Sequence, residues 1–397
     1  MERISFIGDI VCDRPLLKAA RREGAYDFGG MLEPARGLFA RSDLVVGNFE
    51  TVCAGEEKGY NARSFVYNSP DSLAFAVAEA GIRVVTTANN HCMDYGIEGV
   101  QRTNRILDEA GIRHTGTGSG EPGYLLFRCG NSRIALLSYT AVLNRKYNDR
   151  SYSSGEKAAV HLLFEPNPVR TVKGAVRAAI PYFIKKRLIE WRYRNLRQKG
   201  VATIREKSDD TALGERDWTY IDAFIAEAEK ARKEADIVIA AVHSGGQFNR
   251  EPGSRSRLLY EEIGKHVDLI VGNHPHVIQK IECRDGMTPT AYSLGTVNLS
   301  LSADYVSFKN LPQYSCMLHV SVDNGKAMGL SASLLRAEED ESGYLRVYPV
   351  ELYAKAHPEK EAEIRSDVET LLGVLTGKES GTAEIKAEYP VWQRKDK

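Results

Sequence analysis

Neither sign of charge is in excess in this sequence, because 53 Lys and Arg residues match 53 Asp and Glu residues. A protein that binds nucleic acid over much of its surface normally carries a large basic excess. The six cysteines are scattered and include no Cys-x-x-Cys pair, so the ligand pattern of a zinc ribbon is missing. We therefore expect no nucleic-acid partner and no cysteine-based zinc module.

Long apolar runs are also missing. No uncharged apolar stretch approaches the roughly 18 residues that a membrane-spanning helix needs. The first three residues lead directly into ISFIGDIV, without the basic region and apolar core of a secretory signal. From these features we expect a soluble, cytoplasmic protein.

The sequence does contain a regular alternation of short apolar runs and helical periodicities. Residues 4–8, 44–49 and 84–88 are β-branched and almost free of charge, which predicts buried strands. Between them, apolar residues recur at spacings of three and four, as on one face of a helix. The same alternation resumes after residue 217, so the pattern predicts an α/β fold with helices covering a sheet.

The pattern also divides the chain into parts. Residues 141–217 interrupt the alternation. Within them, residues 182–199 hold seven Lys or Arg against one Glu, interleaved with aromatic residues. This basic segment could dock an anionic polymer, contact an anionic membrane surface peripherally, or form a solvated helical lid. The predicted parts are a core of residues 1–140 and 218–305, a basic insertion of residues 141–217, additional β-strands in 306–356, and a helix with a charged tail in 357–397.

Residues able to bind a metal follow the predicted strands. In α/β sheets, functional groups gather at the carboxyl ends of the strands. Two histidines at i and i+2 of an extended segment face the same side and can share an ion. Five predicted strands end in this way, at Asp9, at Glu50, at Asn90 with His91, at His243, and at His274 with His276.

Each of these residues alone also has a structural interpretation. Asp9 could cap a helix or a turn, and Glu50 could be a surface carboxylate. Residues 89–91 could form a turn through side-chain hydrogen bonds to the backbone. His243 could be a buried histidine with satisfied nitrogens. The recurrence at five strand ends favours a shared metal site.

The same residues lie in six motifs that follow one another in order. The motifs are Gly8-Asp9, GNFE at 47–50, NNHCMDYG at 89–96, His243-Ser-Gly, GNHPHVIQ at 272–279 and YSLG at 292–295. Together they resemble the CapA-type capsule-synthesis family, which is named for poly-γ-glutamate capsule biosynthesis. The resemblance spans about residues 4–300.

This resemblance implies a calcineurin-like metallophosphoesterase fold, a four-layer α/β/β/α sandwich around a two-metal site. His91 resembles the catalytic histidine of that fold, and Asp94 would orient its imidazole. The implied metal ligands are Asp9, Glu50, Asn90, His243, His274 and His276. Neighbouring residues predicted to contact the substrate are Asn48, Asn89, Gln247, Arg250 and Gln279.

Three motifs depart from the usual pattern, at four positions. Metallophosphoesterases usually begin with Asp-x-His, whereas Val11 occupies the position of that histidine, as is usual in the capsule branch. The family's His-Trp-Gly-x-Glu stretch ends here in Gln247, and its tryptophan is replaced by Ser244. The asparagine expected after YSLG is Thr296. We expect the occupancy of one metal position and the fit of the substrate to differ accordingly.

The implied chemistry is phosphoester cleavage. Two divalent cations would clamp phosphoryl oxygens and lower the pKa of a bridging water, and protonated His91 would donate to the leaving group. Imidazole, carboxylate and amide ligands suit Mn²⁺, Fe or Zn²⁺ better than Mg²⁺. The expected substrate is a phosphorylated or anionic cell-envelope or capsule precursor, either a small molecule or a polymer.

Two alternatives remain open from the sequence. The protein could instead be a non-hydrolytic accessory factor that binds metal or polymer alongside other capsule-synthesis proteins. Cys12, Cys53 and Cys92 lie beside predicted ligands, where they could be soft ligands, redox-sensitive thiols, or small apolar residues packed behind the motif loops.

Overall fold

A computed structural model gives the fold of most of the chain. Of the predicted basic segment 182–199, only isolated residues belong to the described part, so its proposed docking role lies outside the described residues. The structure describes residues 2–61, 65–118, 123–144, 151–167, 209–284, 286–303, 305–378 and 383–394, with Pro181, Ile184, Arg187, Leu188, Trp191 and Asn195.

Two large sheets form the centre of the described structure. The first has strand order β15-β14-β13-β1-β4-β5-β6, with β16 also paired to β14, and the second has order β11-β12-β10-β9-β8-β7. The strands are β1 (Glu2–Ile10), β2 (Arg21–Arg22), β3 (Ala25–Tyr26), β4 (Leu44–Phe49), β5 (Val84–Thr86), β6 (Arg113–Thr115), β7 (Tyr124–Cys129), β8 (Ser132–Thr140), β9 (Ile237–His243), β10 (Leu269–Asn273), β11 (Ile281–Glu282), β12 (Thr290–Ala291), β13 (Tyr314–Asp323), β14 (Lys326–Glu339), β15 (Leu345–Pro349) and β16 (Tyr389–Gln393).

Helices lie between these strands in the chain. A capping box at Ser153 begins the short helix of residues 154–158, where the Ser153 and Glu156 side chains each accept from the other's backbone N–H. The α-helices are α1 (Arg14–Ala19), α2 (Arg36–Phe39), α3 (Ser72–Glu79), α4 (Gly96–Glu109), α5 (Ser154–Ala158), α6 (Trp218–Glu234), α7 (Ser254–Gly264), α8 (Val350–Ala356) and α9 (Glu361–Thr376).

The buried residues show how the layers stack. Alternate residues of a strand point to opposite faces of its sheet. In β4, Val46 packs in a core between the two sheets together with Ile239 of β9, whereas Val45 packs with α3. On the second sheet, Val238 of β9 packs against α6 and α7. The order is therefore helices, sheet, sheet, helices, which confirms the predicted four-layer α/β/β/α sandwich.

Parallel pairing brings the predicted functional loops to one side. In the first sheet β1, β4 and β5 are neighbours and run parallel. In the second sheet β8, β9 and β10 are likewise parallel neighbours. The loops that leave the carboxyl ends of these six strands therefore open toward a common region between the two sheets.

The C-terminal part extends the first sheet. β13 pairs antiparallel with β1, and β14 and β15 continue outward from it. The segment expected to be a charged tail also contains β16, which pairs with residues 329–332 of β14. The division of the chain into separate domains stays a prediction.

None of the helices in the described residues has the length and apolar character that crossing a bilayer requires. The cytoplasmic location expected from the sequence stays a prediction.

Candidate metal centre

The six predicted ligands converge at the carboxyl ends of five strands. Two overlapping groups, Glu50–His243–His274 and Asp9–Glu50–His276, each offer donor atoms within 4.8 Å of one another. All of these residues are buried. We call the set of Asp9, Glu50, Asn90, His243, His274 and His276 the ligand cluster.

One half of the ligand cluster gathers around His243. Its Nε2 lies 2.7 Å from Asn90 Oδ1, 3.1 Å from His274 Nδ1 and 3.7 Å from Glu50 Oε1. Two donors bound to the same ion by bonds of about 2.1 Å lie roughly 3–4 Å apart. These spacings therefore match neighbouring ligands of one cation.

The other half gathers around His276. Its Nδ1 lies 3.3 Å from Asp9 Oδ2 and 3.8 Å from Glu50 Oε2. Because Glu50 directs one oxygen to each half, it is the residue that the two halves share. This is the position expected of a carboxylate between two ions.

Glu50 provides the test of whether a cation fits. Both carboxylate oxygens are buried and lack a hydrogen-bond partner among the described residues. Burial, together with the neighbouring Asp9 carboxylate, raises the pKa of Glu50 well above its ordinary value. A buried carboxyl group without a donor is unfavourable unless it is protonated or bound to a metal. The donor set of nitrogens and oxygens fits a divalent cation.

The electrostatics of two other ligands agree with this fit. Burial lowers the pKa of His243 to about 3, so its imidazole is neutral near pH 7 and keeps a lone pair for an ion. Burial alone would raise the pKa of Asp9, but contacts with His276 and His243 outweigh it and hold the pKa below its usual value. Asp9 is further fixed by Asn48, whose Nδ2 donates to Oδ1 at 2.7 Å.

The two histidines of the HPH motif meet the cluster in an unexpected way. The sequence interpretation assumed an extended segment, but His274 and His276 have φ angles of 103° and 61°. Non-glycine residues in this region are strained by about 1–3 kcal/mol each. The assumed backbone was therefore wrong, and a tightly turned loop rather than a strand directs both imidazoles inward. Just before this loop, within β10, a Cβ on Gly272 would lie 2.1 Å from the Tyr292 carbonyl oxygen, so only glycine fits.

His91 lies at the edge of the ligand cluster. Its Nδ1 is 2.6 Å from Asp94 Oδ2, and its Nε2 is 4.0 Å from Glu50 Oε1. Tyr67 stacks on the imidazole with ring centroids 4.0 Å apart and planes 10° apart. The Tyr67 backbone N–H donates to the same Asp94 oxygen at 2.8 Å. The imidazole is thus held with one nitrogen on Asp94 and the other toward the cluster.

The residues predicted to contact substrate occupy different environments. Asn48 bridges Asp9 and the region of His243, and Asn89 donates to the Phe49 carbonyl oxygen. Gln279 donates to the Asn249 carbonyl oxygen. Their roles as substrate contacts stay predictions.

Gln247 and Arg250 differ from this group. Gln247 is buried with Nε2 3.4 Å from His276 Nε2, and its Oε1 has no hydrogen-bond partner among the described residues. Arg250 is exposed. Gln247 therefore has an acceptor available beside the cluster, whereas Arg250 has no contact that links it to the site within the described part of the chain. The roles of both residues as substrate contacts stay predictions.

Sequence reasoning missed Asn144 and Tyr67 at this site and named Thr296 only as a departure from the family pattern. Asn144 contacts both Asn90 and His91, and Thr296 Oγ1 lies 2.8 Å from His276 Nδ1. Asn144 follows β8, so the rule of strand carboxyl ends could have found it. The stacking of Tyr67 on His91 has no local signal, because residues 67 and 91 meet only through the fold.

The three cysteines near the motifs are buried. Burial raises the pKa of Cys92 to about 12 and also raises the pKa of Cys12 and Cys53. Such thiols are poor nucleophiles at neutral pH. Cys12 and Cys53 pack with apolar residues of the first helical layer, which supports the interpretation as small apolar residues.

Comparison with known proteins adds relatives at modest identity. The PGA biosynthesis protein CapA of Bacillus subtilis (strain 168) is 26% identical over 297 residues, which cover 73% of this chain and 61% of that protein. The capsule biosynthesis protein CapA of Bacillus anthracis is 24% identical over 301 residues, covering 74% of this chain and 58% of that protein. The chain thus matches about three fifths of the length of these two relatives.

Among solved structures, the Thermus thermophilus sulfate thiohydrolase SoxB in complex with glycerol covers 86% of this chain and 44% of its own. Its sequence identity is 13% and the TM-score is 0.38. The model of the family described as bacterial capsule synthesis protein PGA_cap matches residues 3–298, which contain the whole ligand cluster. This chain therefore belongs to the PGA_cap family of bacterial capsule synthesis proteins.

Proposed function

We propose that this protein is a metal-dependent, phosphoesterase-like hydrolase that acts on a phosphorylated or anionic precursor of the cell envelope or capsule. One observation supports it most directly, namely the buried Glu50 carboxyl group that has no hydrogen-bond donor and faces two groups of ligand atoms. Such a group must be either protonated or bound to a cation, and a carboxylate shared by two groups of ligand atoms suits two cations.

The ligands divide between the two halves of the cluster. Asn90, His243 and His274 would hold one divalent cation with Glu50, and Asp9 and His276 would hold the other. Three imidazoles favour Mn²⁺, Fe or Zn²⁺. When bound, such cations supply Lewis-acid polarisation of a phosphoryl oxygen and lower the pKa of water.

His91 is the proposed general acid. Because its Nδ1 is held by Asp94 at 2.6 Å, the proton on Nε2 faces the ligand cluster and is available to a leaving oxygen. The stacked Tyr67 ring and the hydrogen bonds to Asp94 restrict the imidazole to this orientation. General-acid catalysis of this kind contributes about 10²–10⁴-fold.

Elemental analysis and a chromogenic phosphodiester test this proposal together. Purified protein should contain Mn, Fe or Zn and hydrolyse bis(p-nitrophenyl) phosphate. His91→Ala should lower turnover by about 10²-fold or more while retaining the metal content of the wild type. A protein that contains no such metal after expression or reconstitution would contradict it.

The names of the two CapA relatives favour a second function, that of a non-hydrolytic accessory factor in capsule or poly-γ-glutamate biosynthesis. Such a factor would bind the anionic polymer or other capsule-synthesis proteins. Bound metal without phosphoester cleavage at any metal loading, together with retention of poly-γ-glutamate, would favour this function over hydrolysis.

A further inference from the structure

Asn144 occupies an unusual position in the loop that follows β8. It is half-buried and lies at the start of the predicted insertion, outside the motifs of the family resemblance. Its side-chain Oδ1 accepts from Asn90 Nδ2 at 3.0 Å, and its backbone N–H donates to the Asn90 carbonyl oxygen at 3.0 Å. Asn144 therefore forms hydrogen bonds with both the main chain and the side chain of Asn90.

The side-chain contact determines which end of the Asn90 amide faces the ligand cluster. An asparagine amide has an oxygen and a nitrogen of similar size, and only the oxygen can bind a cation. Asn144 directs its Oδ1 toward Asn90, and because a carbonyl oxygen can only accept, it pairs with the Asn90 nitrogen. The Asn90 oxygen is then directed to His243, where it lies 2.7 Å from Nε2.

Asn144 also touches the proposed general acid. Its Nδ2 lies 2.9 Å from His91 Nδ1 and 3.3 Å from His91 Nε2. Since Nδ1 already faces Asp94, the Asn144 amide adds a second contact to the same imidazole. One residue of the β8 loop thus lies in contact with both a ligand and the neighbouring histidine.

We infer that Asn144 is a positioning residue for a cation site, because it fixes the amide of Asn90 with its oxygen toward the ion. The inference rests on the proposed metal-binding function and extends it to a residue that contacts no cation itself. Partners of this kind around metal ligands typically change metal affinity by about 10–100-fold when they are removed.

Titration of metal-stripped protein with Mn²⁺ tests this role without any activity assay. Asn144→Leu should weaken Mn²⁺ binding by about 10–100-fold, whereas Asn144→Asp, which keeps an acceptor for Asn90 Nδ2, should restore most of the loss. Asn104→Leu is the matched control, because Asn104 is a half-buried asparagine whose amide bonds only Thr117 among the described residues. Unchanged Mn²⁺ affinity in Asn144→Leu would overturn the inference.

A double-mutant cycle distinguishes orientation of the Asn90 amide by Asn144 from a general contribution of Asn144 to the local structure. Asn90→Asp replaces the amide by a carboxylate with two equivalent oxygens, which needs no partner to choose between them. The Mn²⁺ penalty of Asn144→Leu should therefore shrink strongly in the Asn90→Asp background. An equal penalty in both backgrounds would overturn the inference.

Two further controls complete the experiment. Urea unfolding of each metal-stripped variant reports whether the fold is retained, and Asn144→Ala takes the place of Asn144→Leu if the larger side chain prevents folding. Wild-type protein that binds no Mn²⁺ would overturn the proposed function as well as this inference. Wild-type binding that Asn144→Leu leaves unchanged would overturn this inference alone.

Discussion

His319 and His243 are both buried histidines at strand positions, but their nitrogens have different surroundings. His319 Nδ1 lies 2.7 Å from Ser5 Oγ, and its Nε2 lies 2.9 Å from Ser333 Oγ. Ser42 contacts Ser5, and Ser333 donates to the Ala387 carbonyl oxygen at 2.6 Å. We call these contacts, made by Ser5, Ser42, His319, Ser333 and the Ala387 carbonyl, the His319 network.

The network has a consistent set of donors and acceptors. The Ala387 carbonyl can only accept, so Ser333 donates to it and accepts from His319 Nε2–H. Nδ1 then accepts from the Ser5 hydroxyl. This leaves His319 neutral with both nitrogens satisfied, and burial lowers its pKa to about 4.

The ligand cluster has no comparable assignment of donors and acceptors. His243 Nε2 faces an amide oxygen, another imidazole nitrogen and a carboxylate, and one hydrogen cannot serve all three. The Glu50 oxygens have no donor among the described residues. The comparison of the two regions shows that burial of a histidine does not by itself indicate a metal site. A metal site is indicated when acceptors without donors gather around the buried histidine.

The largest expected difference between the regions is the response to a cation. At a Mn²⁺ concentration about 1,000 times Kd, binding should raise the free energy of unfolding by about 4 kcal/mol. Glu50→Leu should remove this increase, because Glu50 belongs to both halves of the cluster. Urea unfolding with Mn²⁺ or EDTA measures it, with Ser42→Ala of the His319 network as the variant that should keep the full response. Full stabilisation of Glu50→Leu by Mn²⁺ would contradict the comparison.

Lowering the pH should reduce the free energy of unfolding through the His319 network, by a smaller amount. Between pH about 6.5 and about 4 the unfolded state binds a proton at His319 that the folded state does not. Stability due to neutral His319 is therefore complete above pH about 6.5 and is lost as the pH falls toward 4, by about 3 kcal/mol.

The His319→Leu variant isolates this contribution. His243 titrates in both proteins, so the difference in unfolding free energy between wild type and variant should decrease as the pH falls through this window. Urea unfolding at several pH values in EDTA measures it. A difference that stays constant from pH 7 to pH 4 would show that His319 does not titrate as proposed.

Removing the Glu50 carboxyl group, which lacks a donor, should change the free energy of unfolding in the opposite direction to removing a hydrogen-bonded group of the His319 network. In metal-free protein, Glu50→Leu should raise the free energy of unfolding by about 1–3 kcal/mol, since it removes a buried polar group that lacks a donor. Urea unfolding in EDTA at pH 7 measures the change. Destabilisation by this substitution would mean that the carboxyl group contributes to the fold without a metal.

The smallest effect is expected at the outer end of the His319 network. Ser42→Ala removes one hydrogen bond to Ser5 and should lower the free energy of unfolding by about 1 kcal/mol. Mn²⁺ affinity should not change, because the network and the ligand cluster share no residue. A measurable loss of Mn²⁺ affinity in Ser42→Ala would show that the two regions are coupled.

The central strands of both sheets could be predicted because they are buried on both faces. Residues 44–49, for example, form the strand in the structure as they do in the prediction, since burial on both faces requires an uninterrupted apolar run. β16 escaped prediction because its five residues include Pro390 and, among the described strands, pair with β14 alone. A short strand of this kind has no apolar period of its own.

The candidate site was predictable in its residues and not in its geometry. The rule of strand ends identified the ligand cluster, but the left-handed φ angles of His274 and His276 come from packing of their loop. Asn144 and Tyr67 had no ligand-like motif around them, and their roles depend on contacts across the fold.

By itself, the amino-acid order determined which segments are buried strands and which polar residues follow them, because burial and side-chain alternation are local properties of a strand. Only the tertiary structure decided that loops from two different sheets meet, that Glu50 is left without a donor, and that Asn144 turns the Asn90 oxygen inward. These features depend on distances between residues remote in the chain, and no local pattern encodes such distances.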